Sequence, residues 1–243
     1  MFTIFFTGMK HPISNNCKDN CLTRSHTLFR HLSDEELEKI EFEKKSDIFR
    51  RGKVLYHEGS RINGFYCIQK GIIKIYKTGI DGKEQIIRFA KKGDIIGFRS
   101  VLSRELACTS AEVIEDAITC YISGSTLIEL VKNNGNFSIE LMQLTCRELG
   151  EANAYITDIA QKTVRERLAE VLVQLHNEFG IDENKILKIN LTREELANIV
   201  GTATESVIRL LSEFKQDELI ELNGRKIKIL NLPALMKVGS IFY

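Results

Sequence analysis

The sequence contains little proline, almost no net charge and no hydrophobic run that approaches the length of a membrane span. Two prolines in 243 residues and the lack of a low-complexity tract argue against disorder or long flexible linkers. A spanning helix needs about 20 apolar residues in succession, so no membrane association is expected. A chain of this length is long enough for two domains, each with its own core.

The net charge of +1 excludes a global basic field of the kind that draws a protein to nucleic acid. From residue 161 onward, 12 Lys and Arg residues stand against 12 Asp and Glu residues, a net of zero. Any attraction to DNA must then come from basic side chains clustered on one face. The charge argues against a tight non-specific binder.

The sequence also lacks the residue sets of an enzyme. No nucleophile with a base, no phosphate-binding loop and no pair of carboxylates is recognisable, and the five histidines show no metal-ligand spacing. The start, MFTIFF, is too short for a secretory signal and lacks a basic region. We therefore expect a cytoplasmic protein whose six cysteines are thiols or ligands rather than disulfides. Translation is expected to begin at Met9, because residues 1–8 fit no predicted element; an intact mass starting at Met1 would contradict this.

The stretch Leu191–Phe214 predicts two short helices joined at Gly201, where a residue tolerant of positive φ is needed. Each helix start has the spacing of a capping box, a hydroxyl followed three residues later by a carboxylate: Thr192 with Glu195, and Thr202 with Glu205. One face of the second helix is apolar. The opposite face carries Thr204, Glu205, Ile208, Arg209 and Ser212.

This polar face of the second helix has the chemistry to read DNA. A carboxylate accepts from cytosine N4, an arginine forks onto guanine O6 and N7, and an aliphatic side chain contacts the thymine methyl group. We interpret the pair as a helix-turn-helix with its recognition helix. The alternative is an ordinary helical hairpin with a solvated face.

A β-hairpin predicted after the second helix favours the first interpretation. Residues 219–222 and 225–230 flank Asn223-Gly224, a pair favoured in two-residue turns. Helix, turn, helix and basic hairpin is the order of a winged helix, whose wing contacts phosphates through Arg225, Lys226 and Lys228. The DNA contacts predicted for this domain, residues 163–243, are Thr192, Arg193, Thr202, Thr204, Glu205, Ile208, Arg209, Arg225 and Lys226.

Periodicity divides the rest of the chain. Residues 1–32 form an N-terminal segment that is polar and irregular from residue 9 and contains Cys17 and Cys21. A capped helix comes next, and from about Ser46 short β-rich segments alternate with glycine turns. This rhythm predicts an antiparallel β-roll in a domain of residues 33–124.

Helical spacing dominates residues 125–162. Apolar or small residues occupy the a and d positions of about three heptads: Met142, Thr145, Leu149, Ala152, Ile156 and Ile159. This seam predicts a dimerisation helix that pairs with a second copy of itself; the alternative is a helix packed on its own domain. A break near Lys162 is the predicted hinge before the last domain.

The predicted fold is α+β: an N-terminal antiparallel β-roll, a long dimerisation helix and a C-terminal winged helix-turn-helix. In this order the chain resembles the bacterial CRP/FNR family of transcription regulators over nearly its full length. The resemblance rests on Gly71–Tyr76 with Gly93–Gly97, on Thr163–Ala169 and on Leu191–Leu211. It implies a cyclic-nucleotide-binding-like sensor domain, a homodimer that binds double-stranded DNA, and contact with RNA polymerase.

The resemblance also implies how DNA is read. In family members the residues matching Glu205 and Arg209 read a TGA core in each half of a palindrome. Those matching Thr204 and Ile208 tune the outer bases. Glu205 is expected either to cap its helix at Thr202 or to reach a base.

The cyclic-nucleotide branch of the family places a glutamate after a β-roll glycine and an arginine before a serine or threonine, for the ribose and the cyclic phosphate. This chain has Phe98 and Cys108 at those positions, and Arg99 and Arg104 are out of register. Cyclic AMP is therefore not expected as the effector. The effector pocket that the resemblance implies contains Gly97, Phe98, Arg99, Cys108 and Thr109.

The FNR branch carries the same Gly-Phe pair as this chain and binds a [4Fe–4S] cluster through three N-terminal cysteines and one in the β-roll. Cys120 matches the β-roll ligand. Cys17 and Cys21 lie where N-terminal ligands are expected, at a wider spacing and without a third. An iron–sulfur cluster held by these three would need His26, Asp19 or an outside ligand.

Without the resemblance, the cysteines have plainer explanations. Cys17 and Cys21 are then two ordinary thiols or a redox switch, and Cys120 is a buried strand cysteine. The same applies to the remaining cysteines: Cys67, Cys108 and Cys146.

The predicted function is a homodimeric, site-specific transcription regulator. An effector or redox signal at its β-roll domain biases the geometry of two recognition helices. The alternative is a small-molecule or redox sensor module whose winged helix contacts a protein partner. No enzyme activity is predicted.

Overall fold

A computed structural model describes residues 27–241. A short 3-10 turn, Thr27–Phe29, comes first. The helices are α1 (Asp34–Glu43), α2 (Phe98–Ser103), α3 (Gly124–Asn133), α4 (Gly135–Gln161), α5 (Val164–Phe179), α6 (Arg193–Val200), α7 (Thr204–Gln216) and α8 (Leu232–Val238). The strands are β1 (Lys45–Phe49), β2 (Val54–Tyr56), β3 (Gly64–Thr78), β4 (Glu84–Ala90), β5 (Ile95–Ile96), β6 (Ser110–Ser123), β7 (Ile220–Asn223) and β8 (Lys226–Ile229).

The β-roll is built on two long strands, β3 and β6, which pair antiparallel. The sheet order is β1-β6-β3-β4, with β2 paired to β6 and β5 paired to β3, and every pairing is antiparallel. Apolar side chains of these strands pack in the two buried clusters of the roll. The predicted fold class is confirmed: β-roll, long helix and winged helix-turn-helix follow one another along the chain.

Residues 125–162 do not form a single helix, which corrects one expectation. The helical segment divides at Asn134, whose backbone is extended and whose side chain accepts a hydrogen bond from the backbone N–H of Phe137. An asparagine in this position caps the second helix more favourably than it would continue the first. The 27-residue helix α4 that follows carries the whole heptad seam.

The break near Lys162 lies where the sequence predicts it. Lys162 is extended at the end of α4, and Thr163 opens α5 with a capping box to Glu166. The Lys162 ammonium contacts Asp158 of α4 at 2.9 Å and Glu170 of α5 at 2.8 Å. The break between α4 and α5 is therefore narrow, and the Lys162 side chain contacts both helices.

One apolar cluster crosses from the β-roll into the winged helix. Ile86 and Phe89 of β4 belong to the same buried cluster as Leu172 of α5 and Leu211 of α7. The ring of Phe89 meets that of Phe179 edge-on, with centroids 5.7 Å apart. Among the described residues no helix is long and apolar enough to cross a membrane.

Gly71 sits at an irregularity in the β3–β6 pairing. Its φ is 87°, and the pairing register shifts on both sides of it. A Cβ at this position would lie 2.5 Å from the carbonyl oxygen of Asp116 and 2.6 Å from Cα of Ala117. Only glycine accommodates both the left-handed backbone and this close approach.

Gly71→Ala is expected to lower the free energy of unfolding by at least about 2 kcal/mol, because strained φ and a backbone clash add together. Gly79→Ala is the matched control, since its nearest neighbour is the carbonyl oxygen of Lys83 at 3.5 Å. Urea denaturation followed by circular dichroism measures both. Equal stability of the two variants would contradict the role assigned to Gly71.

Candidate nucleic-acid interface and sensor site

Helix α7 is fixed in the winged helix by its apolar face. Its buried side chains are Val207, Leu210, Leu211 and Phe214. On the opposite face Glu205, Ile208, Arg209 and Ser212 are exposed, and Thr204 is half-buried. The amphipathic helix predicted from the sequence is therefore present, with its polar face outward.

The second predicted capping box is absent. Helix α7 begins one residue later than expected, with Ala203 at its N-cap and no side-chain cap. The reason is the left-handed Gly201, which lets the N–H groups of Gly201 and Thr202 both bond to the carbonyl of Ala197 and carries the turn one residue further. Glu205, no longer three residues from its N-cap, projects into solvent. The first box, Thr192 with Glu195, is present.

Arg209 is exposed and forms an ion pair within its own helix, α7. Its Nη1 donates to the Glu213 carboxylate at 2.5 Å, and the Arg209 side chain is 67% exposed. The other oxygen of Glu213 accepts from Arg165 of α5 at 2.9 Å. An exposed pair of this kind is worth about 0.3–0.5 kcal/mol, so Arg209 is released at little cost when a stronger acceptor is offered.

Arg193 joins the helix-turn-helix to the wing. Its Nη2 donates to the carbonyl of Gly224 at 2.8 Å, and burial lowers the pKa of its guanidinium. Its Nη1 is buried and has no hydrogen-bond partner in the described part of the chain. The sequence predicts Arg193 as a DNA contact. In the structure its guanidinium forms a hydrogen bond with the wing, at the carbonyl of Gly224.

The wing turn is formed by Gly224 and Arg225, not by the predicted Asn223-Gly224 pair. Asn223 pairs with Lys226, and Gly224 takes the first central position with φ of 57°. A glycine at that position suits a two-residue hairpin, which explains the shift by one residue. Arg225 and Lys226 are exposed at the tip. Lys228 contacts Glu221 at 3.0 Å across the hairpin.

The predicted effector residues do come together, around a cavity of about 30 Å³. Gly97, Phe98, Arg99, Cys108 and Thr109 all line it, with Arg88 of β4 and Glu148 of α4. Ligand pockets are usually about ten or more times larger. Phe98 and Thr109 are buried, and burial raises the pKa of the lining Tyr56 to about 12. In this conformation the cavity has no room for a nucleotide.

Glu148 joins this closed cavity to the long helix. Its carboxylate accepts from Arg88 at 2.9 Å and lies 3.9 Å from Nε of Arg99. The Arg99 guanidinium also donates to the Cys108 sulfur at 3.3 Å. Two arginines of the roll therefore meet one carboxylate of α4 beside the predicted effector residues.

A contact that the sequence did not predict joins the roll to the end of α6. The Gln85 amide of β4 donates to the carbonyl of Asn198 and, at 2.6 Å, to Tyr155 Oη; the Tyr155 hydroxyl donates to the carbonyl of Ile199 at 3.1 Å. The Lys83 ammonium donates to the carbonyl of Thr202. Pairing between residues about 115 positions apart leaves no periodic trace in a sequence, so no local pattern could have indicated it.

Of the predicted metal ligands, Cys120 lies in the described part of the chain, whereas Cys17 and Cys21 lie outside the described residues. Cys120 is buried in β6, and its sulfur accepts a hydrogen bond from the Gln69 amide at 2.6 Å. Residues 27–241 hold no group of three or more His, Cys, Asp or Glu side chains suited to a metal ion. Cys67 lies directly opposite Cys120 on β3, and it is buried as well.

Comparison with known proteins agrees with this geometry. The cyclic nucleotide-binding domain family model matches residues 47–134, and the Crp-like helix-turn-helix domain model matches residues 166–238. The fumarate and nitrate reduction regulatory protein of Vibrio cholerae is 27% identical over 231 residues, 93% of this chain and 91% of that protein. The chain belongs to the CRP/FNR family of transcription regulators. The transcriptional activator protein Anr of Pseudomonas protegens is 28% identical and covers 89% of each chain.

Solved structures of CRP/FNR-type regulators share the fold. FixK2 from Bradyrhizobium japonicum superposes with a TM-score of 0.72 at 23% identity, covering 80% of this chain and 96% of that one. A CRP/FNR-family regulator from Eubacterium rectale gives a TM-score of 0.73 at 18% identity, covering 88% and 98%. The relatives of this CRP/FNR chain are regulators and not enzymes, in agreement with the sequence analysis.

Arg209→Ala is expected to weaken binding to a specific site by about 1–3 kcal/mol and to relax the preference at one guanine, because a forked contact to a base is lost. Lys215→Ala, at the exposed far end of α7, is the matched control. Fluorescence anisotropy with specific and random duplexes measures both variants. An equal loss on both duplexes would show that Arg209 contacts phosphate only.

Proposed function

We propose that the chain acts as a homodimer that binds a palindromic, TGA-containing DNA site and is controlled from its β-roll domain. The observation that carries this proposal is the outward face of α7, with Glu205, Ile208 and Arg209 exposed next to a wing whose tip exposes Arg225 and Lys226. The helix supplies donors and acceptors for base edges, and the wing supplies cations for phosphates.

The neutral charge of the last domain makes the base contacts more important. Without a basic field, little of the affinity comes from counterion release, so the few helix side chains decide where the protein binds. The same neutrality supports one other function, a sensor whose winged helix contacts a protein. Footprinting on a TGA-containing palindrome, with and without oxygen, separates the two, because only the DNA reader protects the site.

The dimer is supported by an apolar stripe on α4 that its own chain leaves open. Met142, Leu149 and Ile156 are 59, 61 and 65% exposed, and Ile159 is also exposed. In α4 only Phe137 and Leu141, near its start, are buried against the roll. The small d residues, Thr145 and Ala152, allow two such helices to approach closely. A second copy of α4 is the partner that fits this heptad spacing.

Control is proposed to pass through the end of α6. The last carbonyls of a helix have no partner within it, and here they bond to Gln85 and Tyr155. We name this set, with Lys83 on Thr202, the α6 clasp. Because β4 also carries Arg88, a change at the Glu148 cavity moves the strand that holds α6. This is the two-state element that an effector would bias.

Such an effector has to open the cavity or act elsewhere. The cavity of about 30 Å³ is held closed by Arg88, Arg99 and Glu148. A phenyl group at position 98 cannot accept a hydrogen bond from a ribose. These residues support the proposal that cyclic AMP is not the effector.

Leu149→Glu is expected to convert the dimer to monomer and to abolish tight binding to a palindrome, because it buries two like charges in the seam. Gln143→Glu, at an outward heptad position of the same helix, is the matched control. Sedimentation velocity at micromolar concentration and anisotropy on the palindrome measure the result. A monomeric wild type, or a dimeric Leu149→Glu variant, would contradict the seam.

Gln85→Ala is expected to loosen the contact between the winged helix and the roll, since the hydrogen bonds of the Gln85 amide to Tyr155 and to the carbonyl of Asn198, worth about 0.5–1.5 kcal/mol each, are lost while the apolar cluster remains. NMR relaxation should then report added motion at the end of α6 and in the turn after it. Gln143→Ala removes an amide that lies outside the clasp and should change nothing. Unchanged relaxation in Gln85→Ala would mean that the clasp does not hold the domains.

A further inference from the structure

A groove between two helices of the β-roll domain is separate from the closed effector cavity. The groove has a volume of about 600 Å³ and is lined by α2, by α3 and by the loop before β3. We name it the α2–α3 groove. Of the described residues, Ser100 alone lines both this groove and the closed cavity of about 30 Å³. Small-molecule sites usually measure about 300–1,000 Å³, so the groove has the size of a ligand site and the closed cavity does not.

Three basic side chains from three different elements line the α2–α3 groove. Arg61 precedes β3, Arg104 follows the last residue of α2, and Lys132 lies in the last turn of α3. All three are exposed, and their side chains form no ion pair or hydrogen bond within the part of the chain that the structure describes. Cations without an internal partner are available to an anion from outside, with which they form charge-assisted hydrogen bonds.

The carboxylates of the groove do not cancel this positive charge. Glu129 accepts from Lys39 of α1 at 2.6 Å, so its charge is already balanced. Among the described lining residues, Glu105 is then the one carboxylate that stands against the three cations. The α2–α3 groove therefore has a net positive charge, which favours an anionic ligand.

Two neutral donors of the groove also have no acceptor. Ser100 is 8% exposed, and its hydroxyl makes no hydrogen bond to any described residue. The backbone N–H of Ser125, in the first turn of α3, has no acceptor in residues 27–241 either. Buried hydroxyls are normally hydrogen-bonded, and the first N–H groups of a helix suit an anion. Both donors fit the oxygen atoms of a bound ligand.

The remaining lining of the groove includes an apolar wall. Ile62, Val101 and Ile128 contribute to it, and each is half-buried. An inorganic anion would leave this wall in water, whereas an organic ligand would cover it and gain from the burial of apolar surface. The combination of an apolar wall with a few polar groups is the usual composition of a small-molecule site.

We propose that the α2–α3 groove binds a small organic anion, a carboxylate or phosphate group attached to an apolar body. Arg61, Arg104 and Lys132 supply the positive charge, and the apolar wall holds the body. The ligand lies against α2, the helix that carries Phe98 and Arg99 into the lining of the closed cavity. The site is therefore a second one, beside the effector pocket and not within it.

Isoleucine methyl NMR on the full-length protein tests the proposal, because Ile62 and Ile128 lie in the groove and Ile75 lines the closed cavity. Phenyl phosphate and benzoate are the anionic probes, and benzyl alcohol is a neutral probe of similar size. Each anion should shift the Ile62 and Ile128 signals to saturation at millimolar concentration. It should bind at least about tenfold more tightly than benzyl alcohol. No DNA is present, so the result is independent of the proposed function.

A variant that removes two of the cations tests their role. Arg61→Ala combined with Lys132→Ala should weaken the binding of phenyl phosphate at least about tenfold, because charge-assisted hydrogen bonds are lost. Lys53→Ala combined with Lys92→Ala is the matched control. It removes the same charge from two exposed positions outside the groove and should leave the affinity unchanged.

Any of four results would overturn the proposal. The first is the lack of a saturable shift with either anion, and the second is benzyl alcohol that binds as tightly as the anions. The third is an unchanged affinity for phenyl phosphate in the variant without Arg61 and Lys132. The fourth is a shift that is largest at Ile75, which would place the probe in the closed cavity.

Discussion

The carbonyl groups at the C-terminal end of α6 decide how the two halves of this molecule are joined. A helix cannot satisfy its own last carbonyls, and a buried carbonyl without a partner costs about 1–3 kcal/mol. In this chain Arg167 of α5 takes the carbonyl of Val200 at 3.0 Å, and the α6 clasp takes those of Asn198 and Ile199. The end of α6 and the turn before α7 are therefore completed by Lys83 and Gln85 of the roll, Tyr155 of α4 and Arg167 of α5.

Strand β4 connects this contact to the rest of the structure. Strand β4 carries Gln85 toward α6 and, three residues on, Arg88 toward Glu148 of α4. Tyr155 of α4 contacts both Gln85 and α6, so α4 is part of the same contact. Roll, helix and winged helix thus meet around one strand. The geometry favours a protein whose domains respond as a unit over one with a free linker.

The features predicted from the sequence are those that depend on residues close together in the chain. Periodicity indicated the outward face of α7, the heptad seam and the break at Lys162, because each depends on residues a few positions apart. Periodicity gave two wrong predictions where backbone geometry also matters. The left-handed turn at Gly201 removed the expected cap at Thr202, and Asn134 divided the helical segment. The contact of Gln85 with α6 and the pairing of Cys67 with Cys120 depend on which elements meet in the folded chain. The spacing of residues along the sequence does not indicate which elements meet.

We propose that two copies of α7, held by one seam, read a symmetric DNA site. The most direct measurement is selection of bound duplexes from a random pool by the protein, purified without oxygen, followed by sequencing. An inverted repeat with TGA in each half and half-site centres about one helical turn apart is expected. A single asymmetric motif, or a pool without enrichment, would contradict it.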